Sequence, residues 1–324
     1  MPTDLSNTLV VGISSTALFD LDESDRIFRE HFENDRPRAI RQYRDYMLAH
    51  EDEALEHGTG MPLVMALLEL NKVVPDRISP LVEVVVMSRN SPETGVRVLN
   101  NIRRIGLPIT RHAFTGGETV VDYLDAYDID LFLTTNVEDA QKVIDGGTCP
   151  AAIVKRPPQS GRAIPAGQVR IAFDGDAVLF DESSELVYKT EGLEKFQKIE
   201  DEHQNVPMGD GPYASLLRKL ARLQRRLPGT VEFSPVRIAI VTARNAPAEM
   251  RVIKTLRHWG VYVDEVFFLG GMDKSKILEA FRPHIYFDDQ DLHLENISKA
   301  YPAGKVPYRS ASPLNVKAAA ATEE

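Results

Sequence analysis

Several features that would point to an exported or membrane-bound protein are scarce in this sequence. A single cysteine, Cys149, among 324 residues excludes an intrachain disulfide and is typical of a reducing compartment. No apolar run approaches the roughly 20 residues that a membrane-spanning helix needs. The first residues, MPTDLSNTLVVGIS, lack the basic leader and long apolar stretch of a signal peptide. We therefore expect a cytoplasmic protein that makes no membrane contact.

Positive charge is also in short supply. Lysine and arginine number 38 against 48 aspartates and glutamates, which gives a formal net charge of −10. This balance argues against nucleic acid or an anionic membrane as a partner. A small anionic substrate stays possible, because a bound divalent cation can invert the local field. The hydrophobic fraction of 43% is that of a globular protein, and the length suffices for two domains.

One passage of the chain occurs twice. Its landmarks recur 154 positions apart: Arg97-Val98 as Arg251-Val252, Gly106 as Gly260, and Gly116-Gly117 as Gly270-Gly271. In the same register, Asp288 and Asp289 of the second copy stand where the first copy has Thr134 and Thr135. The repeat predicts two halves of similar build, related by internal duplication, and only the second carries the acids that phosphoryl chemistry needs.

Short apolar runs alternate with helical patterns in both halves. The predicted strands are Leu9–Ser14, Leu81–Ser88, Ile109–Phe114, Asp130–Leu133, Ala151–Val154, Val169–Phe173, Arg237–Val241, Tyr262–Phe268 and Ile285–Phe287. The predicted helices are Pro62–Lys72, Ser91–Ile105, Tyr213–Arg226, Ala248–Trp259 and Lys274–Phe281, with a charged helical stretch at Glu23–Glu56. This alternation predicts an α/β protein whose two Rossmann-like halves contain parallel sheets.

The halves are expected to be separated by a segment rich in proline and glycine. Residues 155–168, KRPPQSGRAIPAGQ, cannot sustain helix or strand. We predict a first half over residues 1–165, a second half over 166–310 and a flexible tail over 311–324. The loosely ordered part is expected to begin as early as Pro302.

Three polar residues of the second half directly follow apolar strands. Because ligands of parallel sheets bind beyond the carboxyl ends of the strands, Asp174, Thr242 and Asp288 should converge. Taken singly, Asp174-Gly175-Asp176 indicates a turn, and Asp288-Asp289 fits a helix cap and a metal ligand equally well. Together, two acidic pairs need a cation, and their hard oxygen atoms suit Mg²⁺.

Two further side chains fit an anionic ligand, each with a simpler alternative. Thr242 precedes a helix, where its hydroxyl and the backbone amides can either hold phosphate or form an N-cap. Lys274 opens the helix that leads to Asp288, and it can neutralise the carboxylates or lie on the surface. Lys276 competes with Lys274 for this role. His293, which follows the acidic pair, is expected on a helix surface, with substrate contact as the alternative.

These motifs, in this order, resemble those of the haloacid dehalogenase-like hydrolase superfamily. Longer strings narrow the resemblance to the cytosolic type I 5′-nucleotidases: ISSTALFDLDE, RIAFDGDAVLF, VTARNAP, RVIKTLRHWG and RPHIYFDDQ. The similarity extends from about Leu9 to about Tyr308, which is nearly the whole chain. It implies a two-half haloacid dehalogenase-like fold and Mg²⁺-dependent hydrolysis of nucleoside 5′-monophosphates.

The resemblance also implies roles for individual residues. Asp174 would be the nucleophile that forms an aspartyl-phosphate, and Asp176 the general acid and then the general base. Thr242, the backbone at Ala243, and Lys274 would hold the phosphoryl oxygens.

A metal site and a cap follow from the same resemblance. Mg²⁺ would bind Asp174, the main-chain carbonyl of Asp176, and Asp288, with Asp289 beside them. Residues 181–235 would form a small cap over the site. An ordinary pair of surface helices is the alternative for this insertion.

The first half lacks these acids. Ser14, Ser15 and Thr16 stand near the position of Asp174–Asp176, and Val120 stands where Lys274 would be. Another DxD, Asp20 to Asp22, lies too far beyond its strand to replace them. The hydroxyls and the turn Thr115–Gly117 could bind a regulatory nucleotide, which the resemblance suggests, or the half could be purely structural.

Other functions remain open at this stage. The chemistry could serve another phosphomonoester or a phosphotransfer, and the chain could sense nucleotides with a vestigial site. Base preference, the activator and subunit number are not encoded in any recognisable motif, so a homo-oligomer is also possible.

Overall fold

The computed structural model describes residues 4–74, 79–228 and 234–315, in which strands and helices alternate. The strands are β1 (Leu9–Ile13), β2 (Val82–Ser88), β3 (Arg111–Phe114), β4 (Leu131–Thr134), β5 (Ala151–Val154), β6 (Val169–Phe173), β7 (Val236–Thr242), β8 (Glu265–Phe268), β9 (Ile285–Asp288) and β10 (Ala303–Lys305). The α-helices are α1 (Ser15–Leu18), α2 (Asp22–Phe32), α3 (Arg36–Ala49), α4 (Met61–Val73), α5 (Val96–Ile105), α6 (Val137–Gly146), α7 (Ser183–Glu191), α8 (Leu193–Glu202), α9 (Ala214–Gln224), α10 (Glu249–His258), α11 (Ser275–Phe281) and α12 (Asp291–Ile297).

The strands of the described residues form one ten-stranded sheet. Its order is β3-β2-β1-β4-β5-β10-β9-β6-β7-β8. Neighbours are parallel except β5 and β10, which are antiparallel and join the two halves. The α/β class is therefore confirmed, and the two halves share one continuous sheet.

Each half uses the same strand order around its central strand. The order β3-β2-β1-β4-β5 of the first half recurs as β8-β7-β6-β9-β10 in the second. Three equivalent strand pairs begin 154 residues apart: β2 and β7, β3 and β8, and β4 and β9. This equivalence matches the sequence repeat, and an origin by internal duplication stays a prediction.

The sheet is buried on both faces, but the two faces are organised differently. On one face a single apolar cluster runs through both halves and includes Ile13 and Phe173. On the other face each half has its own cluster, one around Val10 and Phe132 and the other around Tyr286. Alternate residues of each strand point to opposite faces, so every strand can contribute to both faces. Because the shared cluster contains residues of both halves, the two halves have one core on that face.

The C-terminal part of the chain corrects one expectation. The prediction of loose order from Pro302 onward is wrong for residues 302–310, which contain β10 and the buried Val306. Gly304 allows close packing of β10 against β5, because a Cβ there would lie 2.9 Å from the Cβ of Ala152. Ser312 and Leu314 are buried as well, and the rest of the predicted tail, 316–324, lies outside the described residues.

Other boundaries differ by a few residues. The predicted helix over Ser91–Ile105 begins only at Val96, because Ser91 and Thr94 form a hydrogen-bonded turn before it. Its end at Gly106 is confirmed, and this glycine has a φ of 69°. The segment 155–168 contains neither helix nor strand.

The predicted cap region contains α7, α8 and α9 in its described part, and residues 229–233 of it lie outside. Helix α9 packs against β1 and contributes Leu217 and Leu220 to the shared cluster. Helices α7 and α8 contact each other, and α8 also contacts α10.

Candidate active site

Asp174 lies at the carboxyl end of the central strand of the second half. It follows β6, which is flanked by β7 and β9, and its backbone N–H donates to the Phe287 carbonyl at 2.8 Å. A single π-type turn, Gly175–Leu179, begins directly after it. Ala177 adopts a φ of 57° within this turn. The chain thus turns sharply at the strand end and leaves the Asp174 side chain buried at the edge.

Lys274 joins this aspartate to the end of the neighbouring strand. Its ammonium donates to Asp174 Oδ1 and to Asp288 Oδ2, both at 2.8 Å, and to the Tyr286 hydroxyl at 3.1 Å. All four side chains are buried. Lys276 is exposed instead, so the structure places Lys274 rather than its competitor at the acids.

A third carboxylate completes the cluster. Carboxylate oxygens of Asp174, Asp288 and Asp289 lie within 4.8 Å of one another. The Tyr308 hydroxyl donates to Asp289 Oδ2, whereas the buried Oδ1 has no hydrogen-bond partner. Three converging carboxylates and one unsatisfied buried oxygen fit a hard divalent cation, which would take such oxygens as ligands.

The electrostatics of the cluster also favour a cation. Burial raises the pKa of Asp174, against the opposing effect of Lys274, and Asp288 raises it further. Burial also raises the pKa of Asp289, and the nearby Glu185 and Asp288 add to the shift. For Asp288, Lys274 and His293 outweigh burial and hold the pKa below its ordinary value. One lysine therefore does not balance three carboxylates, and a divalent cation would.

Thr242 and Ala243 lie beside Asp174, at the end of β7. A Cβ on Gly175 would lie 3.3 Å from Thr242 Oγ1, a tight contact, so a larger residue at this position would press against the hydroxyl. The turn Gly270-Gly271 holds the same segment, since Gly271 donates to the Ala243 carbonyl at 3.1 Å. Thr242 is buried and Ala243 is exposed.

The side chain of Asp176 has a partner that sequence reasoning missed. Arg244 donates from Nη2 to Asp176 Oδ1 at 2.6 Å and from Nε to Oδ2 at 2.8 Å. The Asp176 carboxylate is not one of the three clustered carboxylates, and a metal contact through its main-chain carbonyl stays a prediction. The sequence signal that could have suggested Arg244 is its place two residues after Thr242, at the same strand end.

Two more residues, His293 and Tyr308, contact the acidic cluster, although neither was predicted to do so. His293 was predicted on a helix surface, but its Nδ1 lies 3.1 Å from Asp288 Oδ2 because the first turn of α12 follows the β9 end. Tyr308 lies in the segment that was expected to be loose. The contact between Tyr308 and Asp289 has no local sequence signal, since these residues meet only when β9 and β10 pair. His293, by contrast, lies only five residues after Asp288.

The corresponding edge of the first half carries hydroxyls in place of acids. Ser14 and Thr16 follow β1 and their hydroxyls lie 3.1 Å apart, and Thr16 Oγ1 lies 2.6 Å from Thr135 Oγ1. Val120 is buried in the apolar cluster of this half. Asp20 lies beyond the strand and α1, as expected. No group of three potential ligands of the kind found in the second half occurs at this edge in the described part of the chain.

The fold is consistent with the haloacid dehalogenase-like architecture: Asp174 follows a central parallel strand, Thr242 and Asp288 end the two neighbouring strands, and Lys274 lies directly before α11. A sequence model of the 5′-nucleotidase family matches residues 1–313. The chain belongs to the 5′-nucleotidase family, and its resemblance to the cytosolic type I branch is confirmed by a human relative.

That relative is human cytosolic 5′-nucleotidase 1B, which is 35% identical over 305 residues. The alignment covers 92% of this chain and 48% of the relative, so the chain spans about half the length of that protein. No solved structure matches significantly. None of the helices in the described ranges is both long and apolar enough to cross a bilayer.

Proposed function

We propose that this protein is a cytosolic, Mg²⁺-dependent 5′-nucleotidase, a phosphoric monoester hydrolase that converts nucleoside 5′-monophosphates to nucleoside and phosphate. The observation that carries the proposal is the buried cluster of Asp174, Asp288 and Asp289 within 4.8 Å, with Lys274 bonded to two of them. The family match and the relative's name support the substrate class.

In the proposed first step, a carboxylate oxygen of Asp174 attacks phosphorus and the bond to the ribose 5′-oxygen breaks. Asp176 gives its proton to that oxygen, so the nucleoside leaves as a neutral alcohol. The product on the enzyme is an aspartyl-phosphate. In the second step, Asp176 takes a proton from water, whose oxygen attacks phosphorus, and Asp174 and phosphate are released.

The other residues bind and orient the phosphoryl group. Lys274 neutralises charge on Asp174 and on a phosphoryl oxygen, and the Thr242 hydroxyl with the Ala243 backbone N–H holds further oxygens. Mg²⁺, held by Asp174, Asp288 and Asp289, would supply charge neutralisation for the transferring group. Helices α7 and α8 of residues 181–235 are proposed to exclude water during the first step.

We assign catalysis to residues 166–310 and none to residues 1–165. The hydroxyls of Ser14, Thr16 and Thr135 are proposed as a site for a regulatory nucleotide's phosphate or ribose. The equivalent position of the strand ends in the two halves and the hydrogen-bonding capacity of the hydroxyls support this assignment.

The decisive experiment is phosphate release from a nucleotide panel with Mg²⁺, comparing the wild-type protein with Asp174→Asn. Hydrolysis of AMP or IMP that Asp174→Asn abolishes is expected, because the amide cannot accept phosphorus. Excess EDTA should also abolish turnover. Activity only on other phosphomonoesters would replace the substrate assignment, and tight nucleotide binding without turnover would indicate a sensor.

A further inference from the structure

The Arg244 guanidinium occupies an unusual position between the catalytic loop and the predicted cap. It is 3% exposed, and its Nε and Nη2 donate to the two carboxylate oxygens of Asp176. Such a two-pronged pair fixes the direction of a carboxylate as well as its place. Both oxygens of Asp176 are therefore engaged, although proton transfer to a leaving group needs one of them.

The opposite edge of the same guanidinium is bonded to cap helix α8. Arg244 Nη1 donates to Glu200, which is 1% exposed. Glu200 also accepts from Arg251 Nη1 and from Ser184 Oγ, each at 2.8 Å. One turn earlier on α8, the Phe196 ring lies 5.2 Å from the guanidinium carbon of Arg244. A displacement of α8 would consequently move Arg244.

The first half contains a neutral counterpart of this bridge. Asn90 stands 154 residues before Arg244, at the same place after β2. It accepts a hydrogen bond of 2.8 Å from the Tyr43 hydroxyl of α3, a helix inserted between β1 and β2 as α8 is between β6 and β7. Thr16 stands where Asp176 would be. Both halves thus have a contact between the strand end and the inserted helix. In the first half the contact is neutral, whereas in the second half it is charged and also includes Asp176.

We propose that Arg244 is a positioning residue for Asp176, and that cap helix α8 sets the position of Arg244 through Glu200 and Phe196. Seating of the cap is thereby coupled to the availability of the general acid. The inference rests on the proposed function, because it takes Asp176 as the proton donor.

The experiment separates protonation of the leaving group from phosphate binding. Single-turnover release of nucleoside from AMP is compared with release of p-nitrophenol from p-nitrophenyl phosphate, both with Mg²⁺. The nitrophenolate departs without a proton, whereas the ribose oxygen needs one. Arg244→Lys should slow nucleoside release about 100-fold, the order of a general-acid contribution, and change nitrophenol release little.

A double variant tests whether Arg244 acts through Asp176. Arg244→Lys combined with Asp176→Asn should be no slower on AMP than Asp176→Asn alone, because both changes remove the same function. Equal slowing of both substrates, or losses that multiply in the double variant, would overturn the proposal and indicate direct contact with the phosphoryl group.

The cap arm has a matched control on the same helix. Glu200→Gln should show the same selective loss on AMP, about tenfold, whereas Glu202→Gln, an exposed neighbour, should match the wild type. Thermal melting reports whether Glu200→Gln is folded, and Phe196→Leu tests the same contact if it is not. Unchanged AMP release in a folded Glu200→Gln or Phe196→Leu protein would contradict the coupling to the cap.

Failure of the inference can be told apart from failure of the proposed function. If the wild-type protein releases no nucleoside, the proposed function is wrong. If it does, and Asp176→Asn is selectively slow on AMP while Arg244→Lys is not, only the role of Arg244 is wrong.

Discussion

At the scale of single residues, Lys274 is the group on which the electrostatics of the site depend. Its ammonium contacts Asp174 and Asp288 at once, deep in the protein. Burial lowers its pKa, but these two carboxylates outweigh burial and raise it above the ordinary value. Lys274 therefore keeps its charge in a place where a lysine without partners would lose it.

Replacing this lysine should impair catalysis far more than replacing its neighbour. We expect Lys274→Ala to lower kcat about 10²- to 10³-fold at saturating Mg²⁺, because a donor to the reacting phosphoryl group is lost. Lys276→Ala, which removes an exposed ammonium two positions away, is the matched control and should retain wild-type kcat. The reverse ranking would show that α11 is placed in the wrong register.

At the scale of elements, the pairing of β6 with β9 brings Asp174 and Asp288 together. His284 lies just before β9 and is part of this junction. Its Nδ1 accepts the Arg170 backbone N–H at 3.1 Å, and its own backbone N–H donates to the Arg170 carbonyl at 2.7 Å. Burial lowers the pKa of His284 from 6.5 to about 4, and the charge of Arg170 lowers it further.

The depressed pKa of His284 predicts a loss of stability in acid. Well above pH 6.5 the ring is neutral in both states and contributes no pH dependence. As pH falls from 6.5 towards 4, the unfolded state binds the proton first, and the free energy of unfolding should drop by about 2 to 3 kcal/mol. Urea unfolding at pH 7 and pH 4.5 measures the drop.

The control compares two histidine variants. His284→Gln cannot take up the proton, so its stability should fall less between these two pH values than that of the wild type. His258→Gln, at an exposed position on α10, should show the full drop. An equal drop in His284→Gln and the wild type would mean that other groups cause the acid sensitivity.

At the scale of the whole molecule, a C-terminal strap, residues 306–312, connects the two halves with the acidic cluster. Ser310 donates to Asp145 of α6 through its backbone N–H at 2.7 Å and its hydroxyl at 2.6 Å. Ser312 Oγ donates to Glu182, just before α7. Two residues before Ser310, the Tyr308 hydroxyl donates to Asp289. The strap therefore orients a predicted metal ligand from outside the catalytic elements.

Removing the Tyr308 hydroxyl should weaken metal binding rather than the chemical step. Partners that orient a metal ligand typically change affinity about 10- to 100-fold. We expect Tyr308→Phe to raise the Mg²⁺ concentration for half-maximal activity by about tenfold, with kcat at saturating Mg²⁺ nearly unchanged. Tyr188→Phe, an exposed tyrosine of α7, is the control. A fall in kcat that excess Mg²⁺ does not restore would contradict this role.

Prediction from sequence was correct for the placement of polar residues at the strand ends of the second half, and their roles stay predictions. Asp174, Thr242 and Asp288 each follow an apolar strand, and parallel strands bring their carboxyl ends to one edge. Arg244 was missed because its partners, Asp176 and Glu200, lie in other elements. Their contact depends on how the inserted helix α8 packs.

The repeat and the hydrophobic alternation by themselves determined the α/β class, the equivalent strands of both halves and the confinement of acids to one of them. These properties are local, because the spacing of apolar residues that distinguishes a strand from a helix is set by residues close together in the sequence. Only the tertiary structure decided that the halves share one sheet through β5 and β10, that Arg244 holds Asp176, and that Tyr308 reaches Asp289. Such contacts join residues far apart in the chain, and packing and electrostatics select them only after the elements have come together.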